Sequence, residues 1–163
     1  SGLKEKGILF KEPQGKVFDS EKHYQKLEAL QWDFFQDMPY PEGIIPIRPE
    51  YGMWLKRHKQ FEKNNYGIEI IAVNKKNEYI GCTKLESYKT EPQKCWTNNL
   101  GVLRKYRRQG IATGLKITAL RKLKNRGFTK IRTDNEENNP MYKINVEVGY
   151  QPVPFSIEYM KEI

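Results

Sequence analysis

The sequence predicts an α/β domain built on a mixed, mostly antiparallel central sheet flanked by helices. Three features of the chain support this fold class. Predicted helices come first, a meander of β-strands follows, and strand and helix then alternate. A meander followed by such alternation is typical of a sheet of mixed direction. The length of 163 residues, without an internal repeat or low-complexity tract, suits one domain.

The N-terminal part of the chain is predicted to hold one short strand and two helices. The apolar residues 8–10 form the strand. A helix is predicted from Ser20 to Gln36, because Ser20 is a good N-cap and large apolar residues recur at near-helical spacing. Two prolines and a glycine make residues 37–43 a loop. A second helix is predicted from Pro49 to Lys63.

The hydrophobic period then changes from that of a helix to that of a strand. The meander is predicted to consist of Ile68–Val73, Tyr79–Tyr88 and Cys95–Leu103, with a turn around Pro92 between the last two. Two further helices and two further strands follow, at Thr113–Arg126, Thr129–Thr133, Pro140–Val148 and Ser156–Lys161. Each of these helices is followed by a glycine in the position that ends helices.

The net charge of +9 is concentrated in one segment. Residues 103–132 contain eleven Lys and Arg and no acidic residue. Such a block is either a solvated helix face or a site for an anion, such as nucleic acid or a phosphorylated cofactor. Only two aromatic residues interrupt it, and it holds no nucleic-acid-binding motif, which argues against nucleic acid as a partner.

Cysteine and histidine are scarce. Cys82 and Cys95 can form at most one disulfide bond, which would not stabilise a fold of this size, and the sequence has no Asn-x-Ser/Thr site for N-glycosylation. We therefore expect a cytoplasmic location. The two thiols are expected to be buried and inert, or bridged if they lie on neighbouring strands. His23 and His58 stand at no metal-ligand spacing, so we expect no metal site and place both on solvated helix surfaces.

No apolar run approaches the ~20 residues of a membrane-spanning helix, so we expect no membrane partner.

The most specific local pattern is a strand, a basic loop and a helix that begins with small residues. Gly110 and Ala112 leave successive backbone N–H groups uncovered at the positive end of a helix. Arg107 and Arg108 add positive charge beside them. A pyrophosphate would fit this arrangement. The other interpretation is an ordinary strand-to-helix turn with exposed arginines.

This pattern, Val102-x-x-x-x-Arg107-x-x-Gly110-x-Ala112, resembles the acetyl-CoA pyrophosphate motif of the Gcn5-related N-acetyltransferase (GNAT) superfamily. A second segment, Asn138-x-x-Met141-x-x-Ile144-Asn145-x-x-x-Gly149-Tyr150, is similar to the helix that lies beside the pantetheine arm in that family. The resemblance covers about residues 66–163. Residues 133–150 and the loop that begins at Asp37 further resemble a bacterial-type branch.

The resemblance implies an acetyl-CoA-dependent N-acetyltransferase that moves an acetyl group directly to a primary amine of a small molecule or peptide. We expect residues 1–163 to form one N-acetyltransferase domain, whole or cut from a longer chain. It is expected to act in the cytoplasm as a monomer or homodimer. The alternative is a non-catalytic regulatory module that senses acetyl-CoA or binds nucleic acid.

The resemblance also implies which residues contact acetyl-CoA. The main chain of Val102, Leu103 and Arg104 is expected to pair with the pantetheine amides like an added strand. Asn138 is expected to hydrogen-bond the cofactor near the pantetheine. The residues expected to wrap the pyrophosphate are Arg107, Arg108, Gln109, Gly110, Ile111, Ala112 and Thr113.

The resemblance leaves the catalytic acid and base unassigned. Many family members use a Tyr acid four residues before the Gly of the second segment, where this chain has Asn145, and some use a Glu base where it has Thr133. Asp37 and Asp134 are further candidates for the base. We place Asp37, Asn135 and Asn145 in the substrate pocket. Asn145 either makes a structural hydrogen bond to the strand ending at residues 133–135 or lies beside the acetyl group.

Overall fold

The computed structural model describes residues 2–15, 18–40, 43–64, 67–135 and 139–153. Its helices are α1 (Gly2–Glu5), α2 (Glu21–Phe35), α3 (Tyr51–Asn64), α4 (Ile111–Asn125) and α5 (Pro140–Glu147), with a 3₁₀ turn at Arg104–Tyr106. Its strands are β1 (Leu9–Lys11), β2 (Gly67–Val73), β3 (Tyr79–Tyr88), β4 (Glu91–Val102) and β5 (Lys130–Arg132). None of the helices in these ranges is long and apolar enough to cross a membrane.

The five strands form one sheet in the order β1-β2-β3-β4-β5. The first three pairs of neighbours are antiparallel, and β4 and β5 are parallel. This confirms the predicted mixed, mostly antiparallel sheet. β4 and β5 run parallel because helix α4 returns the chain from the end of β4 to the side of the sheet at which β4 begins.

Helices cover both faces of the sheet. Alternate residues of β2 point to opposite faces, so Ile70 contributes to the core beneath α4 and Ile71 to the core beneath α2. Leu115 of α4 and Leu27 of α2 are completely buried in these two cores. Each helix therefore has an apolar stripe that matches one face of the same strand.

Helix α2 approaches the sheet closely at Gly101 of β4. A Cβ atom at Gly101 would lie 2.1 Å from Cγ of Phe34, so a side chain here would collide with that ring. The absence of a side chain lets the C-terminal end of α2 lie against the last residues of β4. This contact brings Asp37, two residues beyond α2, to the loop that follows β4.

The main differences from the sequence prediction concern β4, α4 and α1. β4 begins at Glu91 rather than Cys95, because a two-residue turn lets Tyr88 pair with Glu91 and places Pro92 inside the strand. α4 begins at Ile111 rather than Thr113, and α1 was not predicted. The predicted strand at residues 156–161 lies outside the described residues. Ser20 caps α2 as predicted, accepting a hydrogen bond from His23 N at 3.3 Å.

The expectation that both histidines are solvated is wrong. His23 and His58 are each 3% exposed. α2 and α3 pack together on one face of the sheet, and the histidines lie in that packed region. The His58 ring stacks on Trp54 with 4.9 Å between the ring centroids.

The two cysteines are buried and unpaired, the first of the two alternatives. Cys82 lies opposite Gly101 in the β3–β4 register rather than opposite Cys95. Burial raises the pKa of Cys95 to about 11 and also raises that of Cys82. Both thiols are therefore protonated and unreactive at neutral pH.

Candidate functional site

Strand β4 loses its neighbour on one side about halfway along its length. β5 pairs with β4 only from Lys94 to Trp96, whereas β4 continues beside β3 as far as Val102. Among the described residues, the segment from Thr97 to Val102 has no strand partner on the β5 side. We call this free edge the β4 gap. An extended ligand could add to it as a strand does.

The predicted pantetheine contacts lie at the end of the β4 gap. The N–H of Leu103 donates to Ile80 O of β3 at 3.0 Å, so that group is already used within the sheet. Main-chain groups alternate in direction along a strand, and the C=O of Val102 therefore points to the free side. It accepts a hydrogen bond there from Arg107 Nε at 2.9 Å.

Helix α4 begins with amides that no side chain caps. Gly110 is the N-cap, with a φ of 81°, and it makes no side-chain cap hydrogen bond. Arg108 is also left-handed, with a φ of 60°. A Cβ atom added at Gly110 would meet nothing within 4 Å, so this turn faces open space. Open amides at a positive helix end fit a phosphate group.

The side chains of this loop contribute unequally. Ile111 is 1% exposed, so only its main chain can reach a ligand. Arg108 is exposed and has no ion-pair partner in the described part of the chain. Gln109 donates a long hydrogen bond to Lys105 O at 3.5 Å. Asn138 lies outside the described residues.

Asp37 holds two arginines of the loop. Arg104 Nε donates to Asp37 Oδ2 at 2.8 Å, and Arg107 Nη2 donates to the same oxygen. The hydrogen bond from Arg104, and then that from Arg107, hold the pKa of Asp37 well below its usual range. A carboxylate this acidic is a weak general base. Its position suits it to fixing the loop.

Part of the basic block is neutralised inside the molecule. Glu12 forms ion pairs with Lys122 and Arg126 at the C-terminal end of α4, and Asp37 engages Arg104 and Arg107. The acids come from the N-terminal part of the chain, which carries little net charge of its own. Four of the eleven basic side chains are therefore paired with acids of the same domain.

A buried lysine, Lys116, lies between α4 and α5. It is 4% exposed, and its Nζ donates to Asn145 Oδ1. Nζ also lies 4.6 Å from the centroid of the Tyr150 ring, within the range of a cation–π contact. Burial lowers the pKa of Lys116 to about 8, because desolvation penalises the ammonium form. The amine is therefore mostly protonated at pH 7 and can give up its proton readily.

Asn145 joins Lys116 to the segment that follows β5. Its Nδ2 donates to Asn135 Oδ1 at 2.5 Å. Asn145 is the buried side chain of α5, and its bond to Asn135 is the contact that the structural interpretation predicts. The structure thus brings Asn135 and Asn145 together. Asp37 instead contacts the loop arginines, and Asp134 is exposed.

The contacts of Tyr150 place Lys116 beside the β4 gap. Thr97 is the first residue of the gap, and its hydroxyl and that of Tyr150 are both buried. The two hydroxyls approach each other without a well-formed hydrogen bond. Burial raises the pKa of Tyr150 to about 12, so it stays protonated. Since Tyr150 also contacts Lys116, one side chain separates the ammonium from the gap.

Lys116 is not among the residues predicted from the sequence, although the spacing of apolar residues in α4 contains a signal for it. Lys116 precedes Ala119 by three residues and Leu123 by seven, and both face the core. These spacings put the lysine on the buried stripe of α4. Lysine is almost never fully buried unless it is paired.

Comparison with known families gives one match. The profile described as Acetyltransferase (GNAT) family matches residues 24–145, more than half of the chain. No curated protein matches the sequence significantly.

Solved structures with the same architecture include several acetyltransferases. A protein from Clostridium acetobutylicum described as a predicted acetyltransferase, solved with acetyl-CoA, is 19% identical, with a TM-score of 0.69 over 94% of this chain and 96% of that one. An aminoglycoside 6'-N-acetyltransferase from Acinetobacter baumannii is 18% identical, with a TM-score of 0.66 over 96% and 99%. A second such enzyme, in complex with a bisubstrate analogue, is 16% identical, with a TM-score of 0.67 over 96% and 99%. These likenesses show a common fold.

Proposed function

Because the chain belongs to the GNAT acetyltransferase family, and so is an N-acetyltransferase that uses acetyl-CoA, we propose that the β4 gap and the α4 N-terminus are its acetyl-CoA site. The observation that carries the proposal is the geometry of Thr97–Val102 and Gly110. A half-free central strand leads to a helix start whose amides face open space. The first feature suits the amide-bearing arm of the cofactor, and the second suits its pyrophosphate.

In this proposal the loop residues bind the pyrophosphate, and Asp37 holds two arginines of the loop in position. The main-chain N–H groups from Gln109 to Thr113 donate hydrogen bonds to the pyrophosphate, and the guanidinium of Arg108 screens its charge. Asp37 holds Arg104 and Arg107 in place, so their cationic side chains border the site without closing it. Val102 borders the site on the free side of β4, where its C=O already accepts a hydrogen bond from Arg107 Nε.

We assign Lys116 as the residue that stabilises and protonates the leaving sulfur. Acetyl-CoA supplies the acetyl group as a thioester, and an acceptor amine takes it up while the thiol leaves. Negative charge on the leaving sulfur calls for a cation or a proton donor nearby. Lys116 offers both, since its charge lies one side chain, that of Tyr150, from the gap and its Nζ is the source of the proton that the sulfur takes up. The N–C bond forms as the C–S bond breaks, and the proton that the acceptor nitrogen loses passes to solvent, from which Lys116 is protonated again. Asn145 and Tyr150 hold the ammonium in place.

The acceptor in this proposal is a primary amine of a small molecule or peptide. Support comes from the family activity, which requires a nucleophilic amine. Aminoglycosides are sensible candidates, because enzymes named for them share the fold. The proposed domain comprises residues 1–163.

A thiol-release assay over a panel of acceptors tests the proposal. The panel contains aminoglycosides, polyamines, peptides with a free N-terminus, and the same peptides with a blocked N-terminus. We expect at least one primary amine to release thiol well above the rate with acetyl-CoA alone, and mass spectrometry to show one added acetyl group. Failure of every amine to exceed that background would contradict the proposed acceptor class.

A further inference from the structure

A cluster of side chains that can bind a metal ion lies on the opposite side of the sheet from α4. His23 comes from α2, and His58 and Glu62 come from α3, one helical turn apart. One ligand atom of each lies within 4.8 Å of those of the other two. Three metal-binding side chains from two helices therefore converge on one point.

Two nitrogens in this cluster lack partners. The Nε2 atoms of His23 and His58 are buried and make no hydrogen bond within the described residues. Carboxylate oxygens of Glu62 and Glu69 lie 3.6 and 3.5 Å from Nε2 of His58, beyond an ordinary hydrogen bond. Buried polar atoms in folded proteins normally have partners. A shared cation would give both unpaired nitrogens a partner and would pair them with a carboxyl oxygen of Glu62.

The outer contacts of the cluster are those of metal ligands. Nδ1 of His23 lies 2.7 Å from the hydroxyl oxygen of Tyr79, which leaves Nε2 as the unpaired nitrogen of this ring. Tyr24 donates its hydroxyl to Glu62 Oε2 at 2.9 Å, which leaves Oε1 toward His58. Such partners orient ligating histidines and carboxylates in metal sites.

We propose that His23, His58 and Glu62 form a binding site for one divalent transition-metal ion, with Zn²⁺ as the ion that fits the ligand set. Two imidazoles and a carboxylate suit zinc, whereas Mg²⁺ and Ca²⁺ prefer oxygen ligands. Ligand atoms of a tetrahedral zinc site lie about 3.4 Å apart. The His58–Glu62 separation already approaches this value, and small side-chain rotations would close the others. Glu69 or water completes the coordination.

The ion would fasten α2 to α3. Both helices cover the same face of the sheet, and α2 leads directly to Asp37 and its arginine clamp. The site is independent of the acetyl-CoA site, so either proposal can fail without the other.

Metal binding to the full chain tests this inference. After removal of metal with a chelator, Zn²⁺ is titrated by calorimetry, and Co²⁺ is titrated by visible absorption. We expect one ion per chain and the intense visible bands of tetrahedral Co²⁺. We expect no near-ultraviolet thiolate band, because Cys82 and Cys95 lie elsewhere. A thiolate band, or no binding at micromolar Zn²⁺, would overturn the proposal.

Single variants locate the ion. His58→Gln and Glu62→Gln are expected to weaken Zn²⁺ binding at least 100-fold, and Tyr79→Phe about tenfold by releasing the His23 ring. Glu91→Gln is the matched control, since its side chain is 37% exposed and that of Glu62 is 35%, and it should bind Zn²⁺ as the wild type does. If the His58→Gln protein does not fold, the Zn²⁺ affinity of Glu62→Gln tests the site instead. Wild-type affinity in a folded Glu62→Gln protein would refute the site.

Discussion

Lys116 changes its chemistry because of where α4 places it. An exposed lysine has a pKa near 10.5, and burial beside Asn145 and Tyr150 lowers the pKa of Lys116 to about 8. The buried ammonium has lost its contact with water and retains one hydrogen bond, to Asn145, and one contact with an aromatic ring, that of Tyr150. It is therefore a cation at neutral pH whose proton is easily transferred, which is what a thiol leaving group requires.

We expect Lys116→Met to lower kcat by about 10- to 100-fold and to leave the affinity for acetyl-CoA within about threefold. Methionine has a similar length and removes only the ammonium. Wild-type kcat should fall above about pH 8 as Lys116 loses its proton, and the variant should lack this limb. Steady-state kinetics from pH 6 to 9.5 measure both effects.

Lys122→Met is the control for this substitution. Lys122 lies on the same helix, but its side chain is 44% exposed and pairs with Glu12, so kcat should not change. Equal kcat values for Lys116→Met and the wild type would exclude Lys116 from the chemistry.

The residues of the candidate site divide into those that the sequence could reveal and those that it could not. The loop from Arg107 to Thr113 was visible because its spacing and charge are local. The periodicity of α4 places Lys116 on the buried face of the helix, but it does not identify Asn145 as a partner, because Asn145 lies 29 residues away on another helix. His58 was predicted to be solvated, because its contact with Glu69 forms only when α3 packs on the sheet. Contacts of this kind depend on packing between elements, which periodicity alone does not report.

At the scale of elements, α4 performs two tasks with its two ends. Its N-terminus is open at Gly110, whereas its C-terminal turn is neutralised by Glu12. The positive end of the helix dipole thus remains available to an anion. The sequence predicted this helix, though not the start at Ile111, because Gly110 caps it through its backbone and no capping side chain marks the boundary.

We expect Gly110→Glu to weaken acetyl-CoA binding at least tenfold, because it places a carboxylate beside the amides that would receive the pyrophosphate. Calorimetry measures the affinity, and circular dichroism checks the fold. The matched control is Gly110→Ala, which imposes the same strain at a φ of 81° without the charge. Its Cβ would meet no atom within 4 Å, so it should bind within a few-fold of the wild type. Equal affinities for the two variants would mean that no phosphate lies there.

At the scale of the whole molecule, acetyl-CoA is expected to stabilise the fold. A ligand that binds only the folded state at 100 times its Kd adds about 2.7 kcal/mol, which raises Tm by a few degrees for a chain of this size. Thermal unfolding monitored with and without acetyl-CoA measures the shift, and Gly110→Glu should show little of it. A wild-type Tm that does not respond to millimolar acetyl-CoA would contradict the proposed site.

Lys116 also links the stability of the whole domain to pH. Its pKa is about 8 in the folded chain and near the ordinary 10.5 in the unfolded chain. Between these values the unfolded state binds more protons, so the free energy of unfolding rises with pH from about 8 to about 10.5. The size of the shift corresponds to a gain on the order of 3 kcal/mol. Denaturant unfolding of the wild type and of Lys116→Met across this range measures it, because other titrating groups cancel in the difference. We expect the wild type to gain on the variant as the pH rises. Parallel curves would mean that the lysine is solvated in solution and that its place beside the β4 gap is wrong.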